Sequence, residues 1–158
     1  MNNLNAIGLS TGLSDQLAIK LNHLLASYQI FYQNTRAFHW NIKGEKFFEL
    51  HLKFEELYTD ALTKIDEIAE RILTLGSVPT HTFSDYLAAS QVRESRNVSE
   101  GRAALSAVRE SLQILLTLER EILNLAGEAS DEGTSALMSD YIRSQEKQVW
   151  MYSAYLKD

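Results

Sequence analysis

The sequence lacks cysteine altogether: none of its 158 residues carries a thiol. This absence excludes disulfide bonds and thiolate metal sites. Any metal site must therefore draw its ligands from histidine, aspartate and glutamate. A chain without cysteine also suits a reducing compartment, and we expect the protein to be cytoplasmic.

The sequence also lacks long apolar runs and any excess of positive charge. No segment is long and apolar enough to span a bilayer, and residues 1–16 contain no lysine or arginine, so we expect no signal peptide. The net charge is −6, from 15 basic and 21 acidic residues. That balance disfavours tight binding to a phosphate backbone and attracts cations to the protein.

Helix-breaking residues are scarce: there is one proline, and there are seven glycines. The uninterrupted stretches between them carry the apolar spacing of amphipathic helices. We predict four long helices and a short one. The first two long helices span about Leu13–Asn41 and about Lys46–Leu75, and the short helix lies in TFSDYLAAS with Thr82 as its cap. The third long helix begins after Asn97, with Glu100 in a capping box, and the fourth spans about Asp131–Leu156. Ser14 or Asp15 is the expected cap of the first helix.

The lengths of the connections predict the architecture. The turn NIKGEK and the segment AGEASDEG are short, so the two helices that each of them joins should form an antiparallel hairpin. The connection SVPTHTFSDYLAASQVRESRN is long enough to cross the bundle. We therefore predict an all-α fold, a ferritin-like four-helix bundle with one long crossover that carries the short helix. We expect a single domain over residues 1–158, with a short N-terminal arm of residues 1–13.

The apolar positions of the helices predict which side chains face the core. They are Leu17, Leu21, Leu24, Tyr28, Phe31 and Phe38 in the first long helix and Leu105, Val108, Leu112, Leu115 and Ile122 in the third long helix. The short helix has Phe83, Tyr86 and Leu87 on one face, and Leu137, Tyr141 and Trp150 are among the apolar positions of the fourth long helix. Each helix thus has one apolar side to bury against the others.

Four residues of metal-ligating type share one side of the second long helix. His51 and Glu55 are i, i+4 neighbours, as are Asp66 and Glu70, and about three helical turns separate the two pairs. The row is too long for one site within one chain. His51 and Asp66 lie roughly 22 Å apart along the axis, whereas ligand bonds to zinc and similar ions are about 2 Å long.

A second copy of this helix, placed antiparallel across a two-fold axis, removes the difficulty. The pairs His51/Glu70 and Glu55/Asp66 share one midpoint in the helix, so one crossing brings both pairs together and creates two identical sites per dimer. His39, just across the turn, completes each site. Imidazole and carboxylate ligands without thiolate suit Fe(II) and similar divalent ions. The alternative is that the acids are solvated surface charges and the histidines are caps or hydrogen-bonded core residues.

The motif HWNIKGEKFFELH, followed by DEIAERILTLG, closely resembles the Dps family, the miniferritins or starvation-induced DNA-binding proteins, and the similarity covers nearly the whole chain. The resemblance implies a hollow dodecamer of ferritin-like subunits with ferroxidase centres between two-fold-related chains. It implies that His39, His51 and Glu55 of one chain and Asp66 and Glu70 of the other are the iron ligands and catalytic residues. The family usually has aspartate at the position of Glu55, whose carboxylate reaches one methylene further.

The resemblance also implies the chemistry. Dps proteins oxidise Fe(II), commonly with hydrogen peroxide in preference to dioxygen, and store ferric mineral in the cavity, which protects the cell from oxidative damage. Trp40, beside His39, is either a nearby electron donor or an aromatic side chain packed across the dimer interface. The alternative function is a non-catalytic shell that protects DNA or sequesters metal, and the complete ligand set favours the ferroxidase.

Several acids cluster where the last two helices meet. In the family this region lines acidic pores through which iron enters, so the resemblance implies a pore role for Glu128, Asp131 and Glu132, and less strongly for Asp140. The alternative is that these acids complement the positive end of the helix dipole.

The remaining features favour no second activity. DNA binding in the family usually depends on a terminal extension rich in lysine and arginine, but here the arm is uncharged up to Asp15 and the chain ends in YLKD. We therefore expect no significant DNA binding near neutral pH. None of the four histidines has glutamate three residues before it, which disfavours a di-iron site inside one bundle. His23 is interpreted as a structural histidine and His81 as an exposed one.

Overall fold

The computed structural model describes residues 3–157. Five α-helices follow one another: α1 (Thr11–Asn41), α2 (Phe47–Thr74), α3 (Phe83–Ala89), α4 (Gly101–Glu128) and α5 (Glu132–Leu156). Within residues 3–157 the only β-type pairing is an isolated bridge between Leu4 and Ser10, and the predicted all-α class is confirmed. No helix in this part of the chain has both the length and the apolar character needed to cross a membrane.

Helix packing follows the lengths of the connections. α1 packs along α2 and α4 along α5, and α1 also contacts α3 and α4. The turn between α1 and α2 uses Gly44 at φ +109°, and Gly76, at φ +94°, ends α2. Ser77 donates its N–H to the carbonyl of Ile72 at 3.1 Å and Gly76 donates to that of Leu73 at 2.9 Å, which is a Schellman C-cap. The chain then crosses over through α3, as predicted.

The predicted core is confirmed on α1 and α4, where every predicted side chain is buried. Three other apolar residues of these patterns are more than half exposed: Trp150 on α5 and both Phe83 and Leu87 on α3. α3 has two turns, and Tyr86 is its one buried side chain, with its hydroxyl donating to the carbonyl of Thr80 at 2.7 Å. Apolar spacing therefore does not by itself distinguish buried apolar side chains from exposed ones.

The helix caps agree with the sequence in part. Thr82 caps α3 as predicted, since its hydroxyl accepts the N–H of Asp85 at 3.3 Å. The cap of α4 is Glu100 rather than Asn97: the Glu100 carboxylate accepts the first two N–H groups that follow Gly101. Asn97 lies in the left-handed region at φ +57°, in the loop before the helix.

The N-terminal arm folds against the ends of two helices. The Asn5 amide nitrogen donates to the Ser14 hydroxyl at 3.1 Å and to the carbonyl of Leu75 at 3.3 Å. The cap predicted at Ser14 or Asp15 was wrong, because α1 already begins at Thr11, after this docked arm. The first two residues of the predicted arm lie outside the described residues.

Candidate metal centre

Two histidines meet where α1 passes into α2. His39 lies in the last turn of α1 and His51 in the second turn of α2. Their rings stack with centroids 3.7 Å apart and planes 12° apart. His39 Nδ1 lies 2.6 Å from the carbonyl oxygen of His51, and His51 Nδ1 lies 2.7 Å from the carbonyl oxygen of His39. Each side chain therefore binds the backbone of the other residue.

This reciprocal arrangement decides which ring nitrogen carries the proton. A carbonyl oxygen can only accept, so each Nδ1 must be protonated and donate. The neutral ring then keeps a lone pair on Nε2, and neutral imidazole is the form that binds metal. Metal-binding histidines commonly donate their other ring N–H to a carbonyl, which sets tautomer and orientation. These hydrogen bonds thus leave Nε2 of both His39 and His51 as the ring nitrogen available to a metal.

Aromatic side chains hold the stacked pair from both sides. Phe47 stacks on His51 with centroids 5.0 Å apart, and Tyr58 contacts His39 edge-on at 5.3 Å. Tyr32 in turn lies edge-on to Tyr58 at 6.0 Å. His39 is only 9% exposed. The rings have little freedom to turn, so the two imidazoles are preorganised.

Trp40 lies at the surface beside this pair. The guanidinium of Arg36 lies 4.8 Å from the Trp40 ring and 5.3 Å from the Tyr32 ring, within reach of a cation–π contact to each. The indole itself is largely exposed. Both roles predicted for Trp40, electron donor and interface side chain, remain predictions.

Three predicted ligands on α2, namely Glu55, Asp66 and Glu70, are exposed carboxylates. Within residues 3–157 none of the three has an ion-pair or hydrogen-bond partner for its carboxylate, whereas other acids of α2 pair with nearby lysines. Those pairs are Lys46–Glu49, Lys53–Glu56 and Lys64–Asp60. The three carboxylates therefore have no local cation to neutralise them.

One chain does not gather all five predicted ligands. His39, His51 and Glu55, which we call the histidine half, lie at the start of α2, since Glu55 is one turn beyond His51. Asp66 and Glu70 form the carboxylate half. Asp66 lies roughly 22 Å beyond His51 along the helix axis. Within the described part of the chain, no three His, Asp or Glu side chains converge on one position. That the two halves join across a dimer remains a prediction.

A buried polar cluster in the centre of the bundle was not foreseen from the sequence. Glu119 on α4 is fully buried, and the Tyr28 hydroxyl on α1 lies in hydrogen-bond contact with its carboxyl group at 3.2 Å. With the Gln145 amide turned so that its nitrogen faces Glu119, that nitrogen donates to the same carboxyl group. Lys64 on α2, also buried, pairs with Asp60.

Burial dominates the electrostatics of this cluster. It raises the pKa of Glu119 to about 8, although hydrogen bonding from Tyr28 and the charges of Lys64 and Arg120 act in the opposite direction. The sequence did contain an indication that Glu119 is buried. It lies four residues after Leu115, on the side of the helix that faces the core. A single carboxylate on an apolar stripe was too weak a signal to interpret.

Asp131 was predicted either to line a pore or to complement a helix N-terminus, and the structure decides between the two. Asp131 is 2% exposed and caps α5, since its carboxylate accepts the N–H of Thr134 at 2.9 Å. Arg71 of α2 donates to the same carboxylate at 2.6 Å and to the Thr134 hydroxyl at 2.9 Å. The pore role of Asp131 was therefore wrong, because a buried cap presents no carboxylate to a channel.

The other predicted pore acids are differently placed. Glu128 and Glu132 are exposed near the junction of α4 and α5. Asp140 is exposed on α5 and accepts a hydrogen bond from Arg143 at 3.0 Å. A pore role for these three residues remains a prediction.

The two remaining histidines are both exposed. For His23 the structural interpretation was wrong, because its side chain points away from the core that its neighbours Leu21 and Leu24 enter. His81 is exposed as predicted, and its Nδ1 donates to the carbonyl of Pro79 at 3.0 Å.

Comparison with known proteins identifies close relatives. Residues 19–158 match the family described as ferritin-like domain. A DNA protection during starvation protein of Porphyromonas gingivalis is 46% identical over 149 residues, covering 92% of this chain and 94% of the relative. The crystal structure of a Dps protein from Vibrio cholerae O1, "a member of a broad superfamily of ferritin-like diiron-carboxylate proteins", is 58% identical with a TM-score of 0.96 over 99% of this chain and 98% of that one. A Dps protein from Bacillus brevis is 34% identical with a TM-score of 0.89, covering 92% and 97%.

Proposed function

The chain belongs to the Dps family of ferritin-like proteins, whose general functions are iron storage and DNA protection, and from that premise we propose that it is a ferroxidase. It oxidises Fe(II) to Fe(III) with hydrogen peroxide and stores the ferric product as mineral inside a hollow shell. Iron is the substrate and the cargo of this reaction. Free Fe(II) and peroxide are consumed together, which limits oxidative damage.

The observation that carries the proposal is the reciprocal contact between His39 and His51. Two stacked histidines that each donate Nδ1–H to the other's backbone have two Nε2 atoms left for a metal. Glu55, one turn further along α2, adds an exposed carboxylate that lacks a lysine partner.

A second copy of the chain completes each site in this proposal. The histidine half of one chain meets the carboxylate half of the other, so that a two-fold dimer holds two sites. Imidazole nitrogen accommodates Fe(II), and the hard carboxylate oxygens stabilise the Fe(III) product. The site therefore favours the oxidised ion.

The electron balance requires two Fe(II) for each peroxide. Each Fe(II) gives up one electron, the O–O bond breaks, and peroxide is reduced to two hydroxide ions, which take up two protons to become water. When both electrons reach the same peroxide molecule, no hydroxyl radical is released.

Anaerobic loading with Fe(II) followed by substoichiometric peroxide tests the proposal. We expect wild type to form Fe(III) rapidly, at two Fe(II) per peroxide, and Asp66→Asn to be slower by roughly tenfold or more, since even second-shell changes cost about 10–100-fold in metal sites. The matched control is Glu56→Gln, an exposed α2 carboxylate paired with Lys53, which should oxidise iron like wild type. Equally slow oxidation in wild type and Asp66→Asn would refute the ferroxidase and leave the non-catalytic shell.

Assembly is part of the proposal. We propose a cytoplasmic homo-oligomer, a dodecamer built from two-fold dimers of a single ferritin-like domain. Native mass spectrometry of the purified protein should give the mass of twelve chains of 17.9 kDa. A monomer as the largest species would leave each histidine half without its partner.

The charge of the chain predicts its behaviour towards DNA. Each subunit carries a net charge of −6, so an assembly repels the phosphate backbone. We expect no retardation of linear duplex DNA in a gel shift near neutral pH, at low or at moderate salt. A complex that persists at moderate salt would show base or groove contacts that outweigh this repulsion, and would favour direct DNA protection.

A further inference from the structure

Gly101, the first residue of α4, lies against the turn that joins α1 to α2. A Cβ atom placed on Gly101 would be 2.6 Å from Cδ1 of Leu50 and 4.0 Å from Cδ1 of Ile42. Gly101 does not have the positive φ of Gly44 and Gly76, so no left-handed conformation requires a glycine here. What the glycine provides is room for two buried side chains.

These two side chains flank the stacked histidines along the chain. Ile42 is the C-cap of α1, three residues after His39, and Leu50 directly precedes His51. Ile42 is 2% exposed and Leu50 is 6% exposed, and both belong to the hydrophobic core. Gly101 therefore packs against both segments that carry the histidine pair.

A backbone hydrogen bond joins the same two regions. Lys43, in the turn after α1, donates its N–H to the carbonyl of Ser99 at 2.9 Å. Ser99 lies two residues before Gly101. The start of α4 is thus held against the turn at two neighbouring points, one polar and one apolar.

A methyl group on residue 101 would not fit without a displacement. Carbon atoms in contact lie about 3.5–4.0 Å apart, and extra volume in a packed core shifts side chains and backbone together. Each histidine ring binds the backbone carbonyl of the other histidine, so a backbone shift changes both hydrogen bonds. A binding site tolerates displacements of only about 0.5 Å.

We infer that Gly101 is a positioning residue for the histidine half. Because it has no side chain, α4 packs closely against the turn, and this packing sets the separation at which His39 and His51 exchange their hydrogen bonds. The inference rests on the proposed function, since it assigns the pair a metal to bind. It adds to the site a residue that has no side chain of its own to offer the metal.

Cobalt binding to the intact, iron-free protein tests this role, because the visible absorption of Co(II) changes when imidazole nitrogens replace water. We expect Gly101→Ala to bind Co(II) about tenfold more weakly than wild type, since changes around metal ligands cost about 10–100-fold. The matched control is Gly127→Ala, near the other end of α4, where a Cβ atom meets nothing within 4 Å. It should bind Co(II) like wild type and melt at a slightly higher temperature, because alanine is the better helix former.

A compensating substitution separates positioning from a general loss of stability. Leu50→Val removes the atom nearest to the new methyl group, so Gly101→Ala/Leu50→Val conserves the volume at this contact. We expect the double variant to bind Co(II) several-fold more tightly than Gly101→Ala, with the same helix content by far-UV circular dichroism. Wild-type Co(II) affinity in Gly101→Ala, or no recovery in the double variant, would overturn the inference.

The cobalt measurement and the ferroxidase assay fail separately. Wild type that binds Co(II) but does not oxidise Fe(II) with peroxide refutes the ferroxidase alone. Gly101→Ala that binds Co(II) like wild type, in a protein that does oxidise Fe(II), refutes the positioning role alone. Wild type that binds no Co(II) refutes the metal centre, and the role of Gly101 with it.

Discussion

Glu119→Gln will unfold at a higher temperature than wild type at pH 9, and at nearly the same temperature at pH 5. Glu119 is fully buried in the centre of the bundle, and burial raises its pKa to about 8 from the ordinary 4.5. A buried carboxylate that ionises leaves a charge in a medium that solvates it poorly. Glutamine has nearly the same shape and cannot ionise, so it avoids this cost.

The hydrogen-bond geometry around Glu119 also requires its carboxyl group to be protonated. Its carboxyl group, the Tyr28 hydroxyl and the Gln145 amide lie in mutual contact. Three contacts need three donated protons: with its amide turned, Gln145 donates to Glu119, and the one hydroxyl proton of Tyr28 goes to the Gln145 oxygen. A proton on Glu119 supplies the third, and the amide of glutamine at position 119 would do the same.

The nearby cations do not replace that proton. Lys64 and Arg120 both lower the pKa of Glu119, but less than burial raises it. Each of them already has a carboxylate of its own: Lys64 pairs with Asp60, and Arg120 donates to Glu146 at 2.7 Å. Each cation is therefore largely neutralised by its own carboxylate and stabilises an ionised Glu119 only weakly.

The direction of the pH effect follows from which state holds the proton. Between pH 4.5 and about 8 the folded chain retains a proton on Glu119 that the unfolded chain has released. Stability therefore falls as the pH rises through this range, and the loss is complete above about pH 8. At about 1.4 kcal/mol per pKa unit, the loss amounts to a few kcal/mol. For a chain of this length that corresponds to a melting difference of roughly 10 °C.

Thermal unfolding of wild type and Glu119→Gln at equal chain concentration, from pH 5 to pH 9, measures this difference. The difference between the two proteins should grow with pH and level off near pH 8 to 9, whatever other groups titrate in both. Glu121→Gln, an exposed α4 carboxylate 3.7 Å from Lys20, is the control and should follow wild type at every pH. A pH-independent difference would mean that Glu119 does not carry its proton in the folded state.

The sequence predicted those parts of the site that depend on spacing along one helix or across one short turn. Helical periodicity placed His51 and Glu55 on one side, and the glycine turn brought His39 next to them. The reciprocal hydrogen bonds could not be predicted, because they depend on how α1 and α2 are rotated about their axes. The same limit applies to Phe83 and Trp150, since apolar spacing alone does not distinguish a buried side chain from an exposed one.

Long-range partners explain the other errors. Asp131 has a sequence context that suits a pore or a helix cap equally well, and its partner Arg71 lies 60 residues earlier in the chain. Glu119 is joined to Tyr28 across 91 residues. A carboxylate that is paired by tertiary structure has the same local sequence as a carboxylate in water.

Asp131→Asn will lower the melting temperature by roughly 10 °C. Asparagine keeps an oxygen that accepts the N–H of Thr134, so the cap of α5 survives in part. It removes the charge that faces Arg71, whose guanidinium is mostly buried and lies 2.6 Å from the carboxylate. Removing one partner of a buried ion pair costs about 3–5 kcal/mol because the other charge stays behind, and each kcal/mol corresponds to roughly 2–4 °C here.

Glu132→Gln separates this structural role from iron entry. Glu132 follows Asp131 in the chain but is exposed, so its melting temperature should stay within about 2 °C of wild type, the usual range for a surface change. If exposed acids at this junction guide iron, Glu132→Gln will slow uptake at unchanged stability, whereas Asp131→Asn will lose stability with normal uptake per folded assembly. A stable Asp131→Asn protein with slow uptake would contradict the buried cap and restore Asp131 to the pore. The two neighbouring acids differ in this way because Arg71 contacts only the first of them.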